Sequence, residues 1–122
     1  MRADKDILEK VVYNINQSLY ALNARVREKL RALLRARTVE RAMALKKEIL
    51  LLWLDSLPMD SEHCYFCMVY RCHSCPYARN HGICTHTDSD YYKIVGQLTQ
   101  LYDCIKECYY RRGERYEEKQ ES

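Results

Sequence analysis

Residues 4–57 contain neither Gly nor Pro, so nothing in that stretch interrupts a helix, and its Leu, Ala, Arg, Lys and Glu content favours one. Placed at 100° steps, Leu8, Val12, Ile15, Leu19, Leu22, Val26, Leu30 and Leu33 form one narrow stripe. From Leu8 to Val26 they alternate four and three residues apart, the spacing of a coiled-coil seam. Beyond residue 37 the apolar positions Val39, Ala42, Met43, Ile49, Leu50, Trp53 and Leu57 fall on the opposite side of the same wheel. One straight helix would need partners on both faces and would place Arg37 inside the first stripe. A break between Arg35 and Thr38 removes the conflict, with Thr38 as N-cap and Glu40 in the first turn. The pattern therefore predicts a helical hairpin of 4–35 and 38–57. Leu45, Leu51, Leu52 and Leu54 widen the second stripe, as expected of a helix covered on most sides. The missing Gly at the turn keeps a continuous helix open as the alternative.

Leu57 and Pro58 close this region. Residues 59–87 lack a sustained helical period and read as an irregular insert. Thr87 with Asp90 makes a capping-box pattern, and Asp88 is a second candidate cap. A last helix over 88–113 follows, with Tyr91, Val95, Leu98, Tyr102, Ile105 and Tyr109 at heptad spacing and Gly113 as its stop. Gly96 inside it points to close packing, and 114–122 is a polar tail. The expectation is an all-α fold in a single domain, 1–122. With 48% apolar residues and 30% charged, the composition excludes a disordered chain.

Seven Cys and four His are present, and nine of these eleven lie between His63 and His86. Two C-x2-C pairs, Cys64/Cys67 and Cys72/Cys75, are four residues apart and are followed by Cys84. Packing does not call for such spacing. A C-x2-C turn points two sulfurs at one ion, and tetrahedral zinc takes four such ligands at ~2.3 Å. The first choice of ligands is Cys64, Cys67, Cys72 and Cys75, with Cys84 able to replace one of the second pair and His81 and His86 as substitutes. An iron–sulfur cluster is the alternative, since Cys67-x4-Cys72-x2-Cys75 followed by Cys84 partly matches a ferredoxin spacing and Cys75-Pro76 a Cys-Pro ending. Cys104 and Cys108, i and i+4 on the last helix, read as half-buried core residues, with ligation of an ion as the sharper reading. His63 and His73 flank candidate ligands and are placed to orient them. Tyr65, Tyr70 and Tyr77 would pack over the metal, or stack on bases alongside Arg71 and Arg79.

The order C-x2-C, C-x2-C-P, His81-Gly82-x-Cys84 and Ser89-x-Tyr91 resembles a group of small, mostly uncharacterised Cys-rich proteins of phages, archaea and their mobile elements. The resemblance spans residues 64–92. It implies a compact zinc-type knuckle and a viral or mobile-element origin, and carries no activity with it.

Between Arg25 and Lys47 nine bases face only Glu28 and Glu40, a net +7 in a chain whose total is +3. Arg25, Arg27, Lys29, Arg31 and Arg35 lie opposite or beside the apolar stripe, a wet face suited to phosphates and hence to nucleic acid or another acidic partner. No Gly-rich phosphate loop, nucleophile elbow or H-E-x-x-H motif occurs, so a binding or regulatory role is expected rather than catalysis. The seam on the first helix is longer than the later helices can cover, which predicts a homodimer. The charged start and the lack of any ~20-residue apolar run predict a cytoplasmic protein without membrane association.

Overall fold

The structure, a computed structural model, describes residues 1–117. Five helices and two 3-10 turns make up its regular structure, and no strand occurs among the described residues. The fold is all-α. Helix α1 (Lys5–Arg35) and helix α2 (Val39–Asp55) pack as a hairpin. Asp4 caps α1 by accepting from the Asp6 and Ile7 amides. Thr38 caps α2 as expected, its Oγ1 accepting the Arg41 N–H at 3.1 Å. The turn needs no Gly because Ala36 (φ −61°, ψ 133°) and Thr38 (φ −125°, ψ 152°) are both extended, a conformation open to any residue. Lys29 Nζ meets Glu48 Oε2 across the hairpin at 3.1 Å.

The insert is more ordered than its sequence suggests. It runs through a 3-10 turn (Ser61–His63), α3 (Tyr65–Val69), a second 3-10 turn (Cys72–Ser74) and α4 (Pro76–His81). The first turn and α3 lie against the N-terminal half of α1. Three hydrogen bonds tie them there: Tyr65 Oη accepts the Asp4 N–H at 2.7 Å, Asn14 Nδ2 donates to the Glu62 carbonyl at 3.0 Å, and Ser18 Oγ meets His63 Nε2 at 2.9 Å. These polar tethers turn α1 on its axis relative to the expected stripe. The packed arc holds Ile7, Val11, Ser18, Leu22 and Val26, whereas Leu8, Val12, Leu19 and Leu30 stay exposed.

The last helix, α5 (Asp90–Cys108), packs on the other side of α2. It is shorter than the expected 88–113. Its cap is Ser89, with neither Thr87 nor Asp88 in that role, and it ends at Tyr109. Gly113 (φ +92°) serves a separate turn closed by Glu114 N–H to the Arg111 carbonyl. Tyr91, Val95, Leu98, Tyr102, Ile105 and Tyr109 are the half-buried positions facing α2, as their spacing predicts. Gly96 faces open space: a Cβ there would meet nothing within 4 Å, so close packing does not explain it. Lys47 Nζ donates to the Tyr110 carbonyl at 2.6 Å and fixes the chain beyond α5 to α2. Of the expected tail, residues 118–122 lie outside the described residues.

Candidate metal centre

Each C-x2-C pair becomes a short turn. Cys64 is the N-cap of α3 and Cys67 sits in its first turn. Cys72 opens the second 3-10 turn, and Cys75 closes it by donating its N–H to the Cys72 carbonyl at 3.4 Å. Cys75 is also the N-cap of α4, with Pro76 in the first helical position, where no N–H is needed. The chain then reverses at Gly82 (φ +81°, ψ 160°), a backbone region essentially reserved for glycine. A Cβ there would lie 3.0 Å from Ser89 Cα. Ser89 is fully buried beneath this reversal. Its Oγ donates toward the His86 and Cys84 carbonyls, at 2.8 and 3.3 Å, and accepts the Tyr92 N–H at 3.1 Å. One serine thus caps α5 and holds the loop that carries Cys84.

These turns carry five thiols in residues 64–84. Burial, then the neighbouring Cys64, Cys84 and Cys75, push the Cys67 thiol up to about 12. Burial, followed by Cys64, Cys75 and Cys72, pushes Cys84 up as well. All five are free thiols, with Cys75 buried and Cys64 and Cys84 partly so. Among the described residues no three thiol sulfurs lie within 4.8 Å of one another, an open arrangement compared with a closed zinc tetrahedron.

Aromatic rings wall the group. Phe66 has Tyr65, Tyr70 and Tyr77 around it at centroid distances of 6.1, 6.5 and 6.1 Å. Tyr77 stacks on His81 at 4.2 Å. Tyr91 donates from its hydroxyl to the Met59 carbonyl. Burial, with Cys84 among the nearby groups, pushes the Tyr77 and Tyr91 hydroxyls up.

The other expected ligands divide. His81 Nδ1 lies 2.8 Å from Asp90 Oδ2, and this hydrogen bond, aided by Lys93, holds the Asp90 carboxyl below its usual value. That pairing fixes one ring nitrogen and leaves Nε2, the arrangement of a carboxylate-oriented ligand. His86 is exposed and enters the loop through its backbone. Cys104 and Cys108 are both exposed on α5, so the half-buried core reading of them is corrected.

The only three ligating atoms mutually within 4.8 Å among the described residues belong to Asp60, Glu62 and His63. His63 is already committed. Its Nδ1 accepts the Asp60 N–H at 3.3 Å, so Nε2 carries the proton and donates to Ser18. With its side chain 3% exposed, His63 is a buried strut between insert and α1. The sequence signal for it was present: Asn14 and Ser18 are polar residues one turn apart beside an apolar stripe.

In the basic band, Arg25, Arg27, Arg31 and Arg35 are exposed, as are Arg37 and Arg41 around the hairpin tip. Lys29 departs from the expectation, because its ammonium is engaged by Glu48. No helix among the described residues is long and apolar enough to cross a membrane. Compared with protein-family models, curated proteins and solved structures, the chain matches none.

Proposed function

We propose that the chain is a small zinc-stapled helical module that contacts nucleic acid through the arginine-lined tip of its hairpin. What supports the reading is that five free thiols stand on successive short turns of one 21-residue stretch, close enough for Cys64, Cys75 and Cys84 to raise the Cys67 thiol. Thiolates are soft donors suited to zinc, and Cys64, Cys67, Cys75 and Cys84 are the set we assign, with Cys84 in place of Cys72. The ion replaces thiol protons and draws the turns together, so metal binding is coupled to ordering of residues 59–89. Its role is structural: the site is a staple between the hairpin and α5. Elemental analysis of protein made in zinc-replete cells should give about one zinc per chain, with Cys64→Ser and Cys67→Ser lowering both content and melting temperature. Unchanged stoichiometry in both variants refutes the ligand set, and a brown protein with visible absorbance assigns the thiols to an iron–sulfur cluster instead.

The nucleic-acid part rests on the exposure of Arg27, Arg31, Arg35, Arg37 and Arg41. Guanidinium groups in this number favour bidentate phosphate contact. Affinity for duplex or single strands should fall steeply with salt, and Arg31→Gln with Arg35→Gln should lower the log–log slope by about two. Absence of binding to DNA and RNA at ~50 mM salt, where phosphate contacts are strongest, refutes this part without touching the metal site.

A further inference from the structure

The face of α1 that the insert leaves uncovered is continuous. Leu8, Val12, Leu19 and Leu30 are exposed along it, and Trp53 of α2 and Leu57 just beyond it extend it sideways. The central part is a groove of about 1020 Å³ in which Ile15, Leu19, Leu30, Trp53 and Leu57 take part. From Leu8 to Leu30 the face runs ~33 Å along the helix. Its flanks are polar: Asn16 and Asn23 border it.

We propose that this face is the interface of a two-fold dimer in which the α1 helices of two copies pack antiparallel, with Leu19 at the axis. Three observations select a second copy of this chain. The exposed fractions of Leu8, Val12, Leu19, Tyr20, Leu30, Trp53 and Leu57 correspond to on the order of 800 Å² of surface per chain, the amount a standard stable interface buries on each partner. The spacing is self-complementary about Leu19: Leu8 and Leu30 lie eleven residues to either side, so each faces its counterpart across a two-fold axis. Charge fixes the direction. The C-terminal part of α1 carries Arg25, Arg27, Lys29, Arg31 and Arg35 against Glu28, whereas the N-terminal end balances Asp4, Asp6 and Glu9 against Arg2, Lys5 and Lys10. A parallel pair would set two arginine-rich ends side by side. The antiparallel pair brings each against the balanced end of the other and places Glu9 beside the partner's Arg27, since both project from the same flank of the helix. The proposal is independent of the metal and nucleic-acid readings.

Light scattering or sedimentation of the full zinc-loaded chain at tens of micromolar should give twice the 14.6 kDa chain mass. Leu19→Arg should give the single-chain mass with unchanged helical circular dichroism, because Leu19 is 59% exposed in one chain and its replacement leaves the core intact. Trp53, the one tryptophan of the sequence, reports the same event by a blue-shifted emission that reverses on dilution. Glu9→Arg and Arg27→Glu should each weaken association about three- to tenfold, and the double exchange should restore it. A wild type that stays monomeric at 100 μM, a Leu19→Arg variant that stays dimeric, or a mass above two chains overturns the proposal. A double exchange no tighter than the single variants overturns the antiparallel direction.

Discussion

Ser89→Ala is the most informative substitution in this fold. The serine is fully buried, and its hydroxyl serves three backbone groups: the Tyr92 N–H, the His86 carbonyl and the Cys84 carbonyl. Loss of the N-cap costs about 1 kcal/mol. The His86 carbonyl keeps the Ser89 N–H at 3.1 Å, but leaving the Cys84 carbonyl short of a donor in a part-buried loop adds about 1–2 kcal/mol. The expected total is about 2–3 kcal/mol, a large share of the stability of a small domain. Urea unfolding of the zinc-loaded protein, extrapolated linearly with an unchanged slope, measures it. Ser89→Gly separates the two contributions. Glycine costs only a few tenths of a kcal/mol as a cap, so this variant should recover about 1 kcal/mol while the loop term remains. An alanine variant within about 0.5 kcal/mol of wild type would refute the view that one hydroxyl joins the Cys84 loop to α5.

Leu45→Ala removes the most deeply buried large side chain of the hairpin, 1% exposed at the centre of α2, and should cost about 3 kcal/mol by urea titration. Gly82→Ala should cost about 2 kcal/mol or more, because φ +81° with ψ 160° strains any Cβ and Ser89 Cα stands 3.0 Å from it; a neutral result would show that the reversal is not fixed. Gly96→Ala has the opposite sign: nothing opposes the added methyl group, and a helix interior gains roughly 0.5–1 kcal/mol from it. Asp90 supplies the acid dependence. Its carboxyl is held below the ordinary aspartate value of 3.8, first by the His81 hydrogen bond, so the folded state binds that proton less readily than the unfolded one. Its contribution is present above pH 3.8 and is lost as pH falls through the lowered value. Asp90→Asn should flatten that part of the acid-unfolding curve, and an unchanged curve would refute the pairing.

The hairpin was legible because two independent signals agreed: the apolar stripe changes sides near residue 37, and Thr38 stands where the new helix must be capped. The absence of Gly misled only under the assumption that such a turn requires a positive φ, and extended Ala36 and Thr38 make it without one. The start of α5 was harder to read. Thr87, Asp88 and Ser89 are all cap-forming residues, so local propensity does not choose among them. Gly82 chooses, by folding the loop back over the third. The spacing of the cysteines marks the insert and offers Cys84 as a replacement for one of the second pair, whereas the reversal at Gly82 that carries Cys84 back over Ser89 has no counterpart in the linear pattern.

The rotation of α1 carries the wider consequence. A wheel drawn from apolar residues alone centres on Leu8, Val12, Ile15 and Leu19, and it treats Asn14 and Ser18 as interruptions. They are the attachment points. A buried imidazole must have both nitrogens satisfied, and His63 meets that need only when Ser18 faces the insert. Asn14 takes the Glu62 carbonyl from the same arc. The polar demand of the insert therefore sets the angular position of α1 and turns half of its apolar stripe outward. A helix free to rotate would bury the stripe against α2 and leave no seam. The tether to His63 prevents this, so Leu19→Arg should act on association while Ser18→Ala acts on the stability of the insert, because Leu19 projects outward and Ser18 toward the insert.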